Sequence, residues 1–195
     1  MYKRFAILAL AFSGSCFAQT GEFWFNYGWS LLSNNGIGTL SAFGGTPNDV
    51  KLDDGYRFSF RFGFNQGSHL GYEIQYAFNH TQFETAGTKE AMHFHQPGFN
   101  ILYYLTSDKL RIRPFGTAGI EVNDFVPPGG AINYGSQNKF GANFGGGVKF
   151  HVHGLFSGRV DVREYVMGKP DFNTLGMVNG KLWQTEVSAG VGVGF

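Results

Sequence analysis

Hydrophobic and polar positions alternate along most of this chain, and they do so without a break in "YRFSFRFGF", Tyr56 to Phe64. Five aromatics share one parity; Arg57, Ser59, Arg61 and Gly63 share the other. A period of two is the mark of an extended strand with chemically distinct faces. The same pattern predicts eight strands, at about 22–32, 55–65, 69–80, 91–105, 110–123, 140–152, 156–166 and 181–195. Most of them run to about eleven residues or more, whereas globular strands average about five or six and a tilted membrane-crossing strand needs about 9–11. No segment carries a helical period. The chain reads as all-β. Pro97-Gly98 interrupts the alternation of the fourth strand, where a bulge is expected.

The connections alternate as well. "NQGS", "TSDK" and "HGL" are tight turns, whereas 33–54, 81–90, 124–139 and 167–180 are long and rich in Gly, Asn, Pro and Thr. Short turns at one end and long loops at the other describe an up-and-down transmembrane barrel with periplasmic termini and extracellular loops. A soluble sheet would bury the aromatic face and a membrane barrel would turn it outward. An eight-stranded barrel has an interior just wide enough for side chains, so some forty large apolar residues cannot fit inside. The Gly, Ala and Ser face can. The arginines of "YRFSFRFGF" are therefore expected inside the barrel.

An inner face of that kind must compensate its charges, because an unpaired ion in a dry interior is costly. The inward parity holds Arg57, Arg61, Arg111, Arg113, Lys149, Arg159 and Arg163, together with Glu22, Glu73, Glu121, Asp161 and Glu186. A three-residue turn at Gln66-Gly67-Ser68 would set Arg61 across from Glu73. The expectation is a salt-bridged plug. The alternative is a charged eyelet passing ions or small solutes, though open channels come with about 16 strands or more.

The first residues change the compartment. Lys3 and Arg4, an apolar run from Phe5 to Phe12 and small residues to Ala18 read as an export signal, with residues 1–18 removed and 19–195 left as one barrel domain. Cys16 offers a rival reading as a lipidated cysteine, but Ser13 stands where a leucine is usual. Cleavage after Ala18 would leave no cysteine, since Cys16 is the only one, and hence no disulfide. The chain has 15 basic and 14 acidic residues; without Lys3 and Arg4 the tally is 13 to 14, which offers nothing to nucleic acid.

The end of the chain, "SAGVGVGF", resembles the signal read by the outer-membrane barrel-assembly machinery. Gly190, Val193 and Phe195 fit that pattern, and Ala189 departs from its polar position. Along its mature length the chain resembles the small eight-stranded outer-membrane barrels of the OmpA and OmpX type, in the outer membrane protein β-barrel domain group. The resemblance lies in "IRPFGTAGIEV" at 112–122, "FGGGVKF" at 144–150 and "GRVDVREY" at 158–165. It implies interior pairing by Arg113, Arg159, Asp161 and Arg163, with Gly145 to Gly147 relieving crowding. No cell-wall-binding domain is expected after the barrel.

Other chemistry is thinner. Some small barrels of this layout act on lipid A through a rim histidine; here the rim candidates are His80 with Thr81, and His93 with His95, with Glu84 or Glu90 as partner acids. His93-x-His95 and His151-x-His153 each set two imidazoles on one strand face, with no obvious third metal ligand. "GMVNGK" at 176–181 lacks the spacing and the Ser or Thr of a phosphate loop. Phe43, Phe125, Val126 and Tyr134 are expected as apolar loop residues. The reading is a monomeric, non-enzymatic outer-membrane barrel without cofactor. Its surroundings would be lipid and lipopolysaccharide, and its role structural or in surface interaction. A solute passage, a lipid A-modifying enzyme and a soluble barrel with an apolar ligand are the alternatives.

Overall fold

In the computed structural model, residues 19–39, 50–85, 87–129, 137–172, 176–177 and 179–195 are described. The long strands are β1 (Gln19–Ser33), β4 (Gly55–Gln66), β5 (Leu70–Thr85), β6 (Thr88–Tyr104), β7 (Ile112–Val126), β8 (Gln137–His153), β9 (Phe156–Gly168) and β11 (Lys181–Gly194). Each pairs antiparallel with its neighbour, and β11 returns to β1 through a continuous register from Glu22↔Gly194 to Ser33↔Trp183. The sheet is thus a closed eight-stranded barrel, and no helix occurs among the described residues. Three short strands, β2 (Gly36–Thr39), β3 (Val50–Leu52) and β10 (Gly176–Met177), extend it at the long-connection end.

The faces divide as the alternation requires. Trp29 is 65% exposed and Phe140 66%, while Arg61 and Arg163 are 0% exposed. A soluble protein would do the reverse, since lone large apolar residues are common on surfaces but a continuous belt of them is not. The arginines of "YRFSFRFGF" point into the lumen, and its aromatics form part of the outer belt.

Three expectations are corrected. The first turn is Gly67-Ser68-His69, closed by Gln66↔Leu70, with Gly67 in the left-handed region at φ 62°. Sliding the turn by one residue moves the register by two, so Arg61 faces Gln75, and Glu73 faces Gly63. Parity survives, because a hairpin shift of two leaves every side chain on its own face. Next, β6 has no bulge at Pro97. Its register against β5 runs unbroken through Tyr76↔Pro97, and the pairing with β7 resumes at Gly98↔Glu121 in the register it left at His95↔Asp124. A proline on that edge forgoes a ladder bond without displacing the strand. Finally, 81–90 is not a loop. Strands β5 and β6 continue to Thr85↔Thr88 around Gly87 at φ 82°, held by inward Phe83 and Met92, which are buried.

Candidate functional site

The lumen is filled in layers, each set by which inward residues stand level on adjacent strands. The middle layer is ionic. Arg61 from β4, Glu73 from β5, Arg159, Asp161 and Arg163 from β9, and Glu186 from β11 are all at most 1% exposed. Asp161 Oδ1 accepts from Arg61 Nη1 at 3.0 Å, Arg159 Nη2 at 2.7 Å and Arg163 Nη2 at 3.1 Å, and its Oδ2 from Arg159 Nε at 2.7 Å. Glu73 receives Arg159 Nη1 at 2.7 Å and Arg163 Nη2 at 2.9 Å. Glu186 receives Arg61 Nη2 at 2.6 Å and lies 3.2 Å from Arg57 Nε. Four guanidiniums and three carboxylates thus interlock across the barrel, and bidentate arginine geometry suits such a lattice.

Below it, toward the short-turn end, Glu22 receives Lys149 Nζ, Trp24 Nε1 at 2.9 Å and Asn65 Nδ2 at 2.7 Å. The Tyr104 hydroxyl donates to Asn65 Oδ1 at 2.8 Å, and Arg113 lies 3.9 Å over the Tyr104 ring. Above the ionic layer comes an amide layer. Gln96 Nε2 donates to Asn123 Oδ1 at 2.6 Å and Gln184 Oε1 at 2.9 Å, and Gln184 Nε2 donates to Asn79 Oδ1 and Ser30 Oγ, both at 2.7 Å. Arg57 joins the two layers by donating to Gln96 Oε1 and, at 2.8 Å, to the Tyr165 hydroxyl. Above that, Phe94 stacks on Phe125 at 4.9 Å inside a buried apolar cluster with Leu32, Ile37, Val50, Leu52, Phe83 and Phe172 among its members.

Of the residues singled out by parity, Arg57, Arg61, Glu73, Lys149, Arg159, Asp161, Arg163 and Glu186 meet in this network. Glu121 is buried but makes no ion pair among the described residues; Asn143 Nδ2 donates to its Oε2 at 2.7 Å. Arg113 is half-buried and donates to the Ser68 carbonyl at 3.0 Å. Arg111 is a correction: it precedes β7 in the turn and is exposed, because that strand begins at Ile112 rather than 110. Phe125 is a second correction, being in β7 and fully buried rather than exposed in a loop. Phe43 and Tyr134 lie outside the described residues.

Parity reasoning also placed every large apolar side chain outside, and this too is corrected. Trp24, Tyr104, Phe115 and Tyr165 are buried in the lumen. They fit because their rings sit against cations, with Arg159 5.1 Å from Trp24 and Arg57 4.5 Å from Tyr165. They also fit because a glycine stands opposite: a side chain on Gly192 would come within 2.5 Å of the Trp24 ring. The signal was in the sequence, since Trp24 shares its parity with Glu22 and Asn26 and Tyr165 with Arg163.

The rim histidines gather further than expected. His80 stands opposite His93, whose ring lies 5.5 Å from that of His95, and His95 stands opposite Asp124. The Tyr76 hydroxyl and His95 Nδ1 are 2.6 Å apart. No group of three His, Cys, Asp or Glu among the described residues is arranged to hold a metal ion. At the closing seam, Phe195 N donates to Gly21 O at 2.8 Å and Gly21 N to Phe195 O at 2.9 Å, with the Phe195 ring 5.8 Å from Phe62 on the outer face.

The barrel resembles several solved structures. Neisserial surface protein A is similar over 90% of this chain and 97% of its own, at 16% identity and a TM-score of 0.59. The N-terminal β-barrel domain of Pseudomonas aeruginosa OprF covers 91% and 97%, at 14% identity and 0.57. Ail, the attachment invasion locus protein of Yersinia pestis, solved with the heparin analogue sucrose octasulfate, covers 91% and 99%, at 16% and 0.53. A comparison with curated proteins finds no match. The family model described as "Outer membrane protein beta-barrel domain" matches residues 5–195. With its closed eight-stranded barrel, apolar exterior and ionic lumen, the chain belongs to the outer membrane protein β-barrel domain family.

Proposed function

We propose that this protein is a non-enzymatic, non-conducting barrel of the outer membrane with a structural or surface-interaction role. The observation that carries this reading is the stacking of an ionic, an amide and an apolar layer across one lumen, which leaves ions no wetted path. Buried ion pairs are poor sources of net stability, but breaking one strands a charge, so such a lattice resists opening. Residues 1–18 act as the cleaved export signal, and Gly190, Val193 and Phe195 as the mark read at assembly. The termini and short turns face the periplasm, the long connections face outward, and lipid and lipopolysaccharide surround a monomer. Planar-bilayer recording tests the plug. Purified protein is expected to give a flat baseline, and reproducible open events at moderate voltage would assign it to the solute-passage class. Unaltered lipid A mass on overexpression is expected, and a shifted mass would make it an enzyme.

A further inference from the structure

The short-turn end of the barrel opens into a cleft of about 490 Å³, with Glu22, Trp24 and Lys149 of the interior network among its lining residues. Its wall is built from the turn between β6 and β7, the turn between β8 and β9, and the seam where Gly194 and Phe195 meet Gly21. Lys109, Arg111, Arg113 and Lys149 line it, with His151 beside them. Of these, only Lys149 is neutralised, by Glu22. Arg113 has no carboxylate within ion-pair distance among the described residues, and neither do Lys109 and Arg111, which are both exposed. The acid in the turn, Asp108, already accepts from the Ser107 hydroxyl at 2.9 Å and the Ser68 hydroxyl at 3.2 Å. Those bonds, the Ser107 one first, together with the nearby Arg113 charge, hold its carboxyl below the usual range. Four cationic side chains, Lys109, Arg111, Arg113 and Lys149, thus share one concave site with two side-chain carboxylates, Glu22 and Asp108.

The apolar rim tells what carries the anion. Leu110 is 55% exposed, Leu155 65% and Phe195 65%, and all three line the same cleft. Cations in a mouth bordered by lipid-facing apolar side chains suit an amphiphile whose phosphate sits at the barrel end and whose chains lie along its wall. We propose that this cleft binds a phosphate group, carried by an anionic phospholipid of the leaflet at the short-turn end, through Lys109, Arg111 and Arg113. The assignment of the leaflet rests on the membrane reading above. The cationic site itself does not.

The test uses the full barrel in detergent, with bound phosphatidylglycerol, phosphatidylcholine and inorganic phosphate counted by native mass spectrometry and by equilibrium dialysis. Phosphatidylglycerol is expected to be retained over phosphatidylcholine. Lys109→Gln combined with Arg111→Gln should weaken that retention about tenfold or more, at about 1 kcal/mol for each basic residue. Lys181→Gln, an exposed lysine at the far end, should leave it unchanged. Inorganic phosphate bound with the same dependence on Lys109 and Arg111, without lipid preference, supports the site with free phosphate as its source. Equal retention of both lipids with no bound phosphate, or retention indifferent to the double substitution, overturns the proposal. Unboiled gel mobility reports separately whether each variant is a folded membrane barrel, so loss of the site is distinguishable from loss of the fold.

Discussion

Asp161→Asn probes the ionic layer at its centre. The substitution keeps the shape of the side chain and removes its charge, leaving Arg61, Arg159 and Arg163 with Glu73 and Glu186 as the carboxylates that remain within ion-pair distance. Asp161 accepts hydrogen bonds from all three arginines, and it is 0% exposed, so no water can replace it. Each charge-assisted bond contributes about 1.5–3 kcal/mol, but the arginines keep other partners and the terms do not add. The cost should therefore be that of breaking a buried pair, about 3–5 kcal/mol. Urea unfolding of the refolded barrel in detergent, followed by tryptophan fluorescence, measures it. The midpoint should fall with an unchanged slope. Arg159→Met in the Asp161→Asn background should recover part of the loss, because it removes one of the stranded charges. A single variant within about 0.5 kcal/mol of the parent, the range of ordinary surface changes, would refute the argument that this lattice is dry and interlocked.

Three further outcomes follow from the packing. Gly192→Ala should destabilise by about 1–3 kcal/mol in the same unfolding assay, because its new methyl meets the Trp24 ring at 2.5 Å in a filled layer. Phe94→Ala should cost about 3–5 kcal/mol, since it removes a 0% exposed ring stacked on Phe125 and leaves a cavity in the apolar layer. Phe195→Ala should behave differently in two assays: the yield of inserted protein in cells falls, while the refolded barrel unfolds within about 1 kcal/mol of the parent. Its ring is 65% exposed and touches little besides Phe62 and the backbone at Gly21.

The local alternation of side chains determined the architecture from sequence. Strand count, antiparallel order and the outward aromatic belt follow from a period of two and from the interior volume of eight strands, and the barrel has all three. Parity also told which charges within the strands face inward, because it is a property of each strand alone; Arg111 fell outside that rule because β7 begins after it. What it could not supply was level. Whether Arg61 meets Glu73 or Gln75 depends on which residues close the turn, and the partners of Asp161 come from β4 as well as its own strand. Those pairings span about a hundred positions of sequence, and only the closed sheet brings them together. Likewise Trp24 and Phe115 lie inside because Gly192 and Gly147 stand next to them, and a single strand carries no record of what its neighbours leave empty. The apolar layer at the long-connection end, built partly by β2 and β3, is the same case. Faces are a local consequence of backbone geometry. Levels and partners exist only after closure.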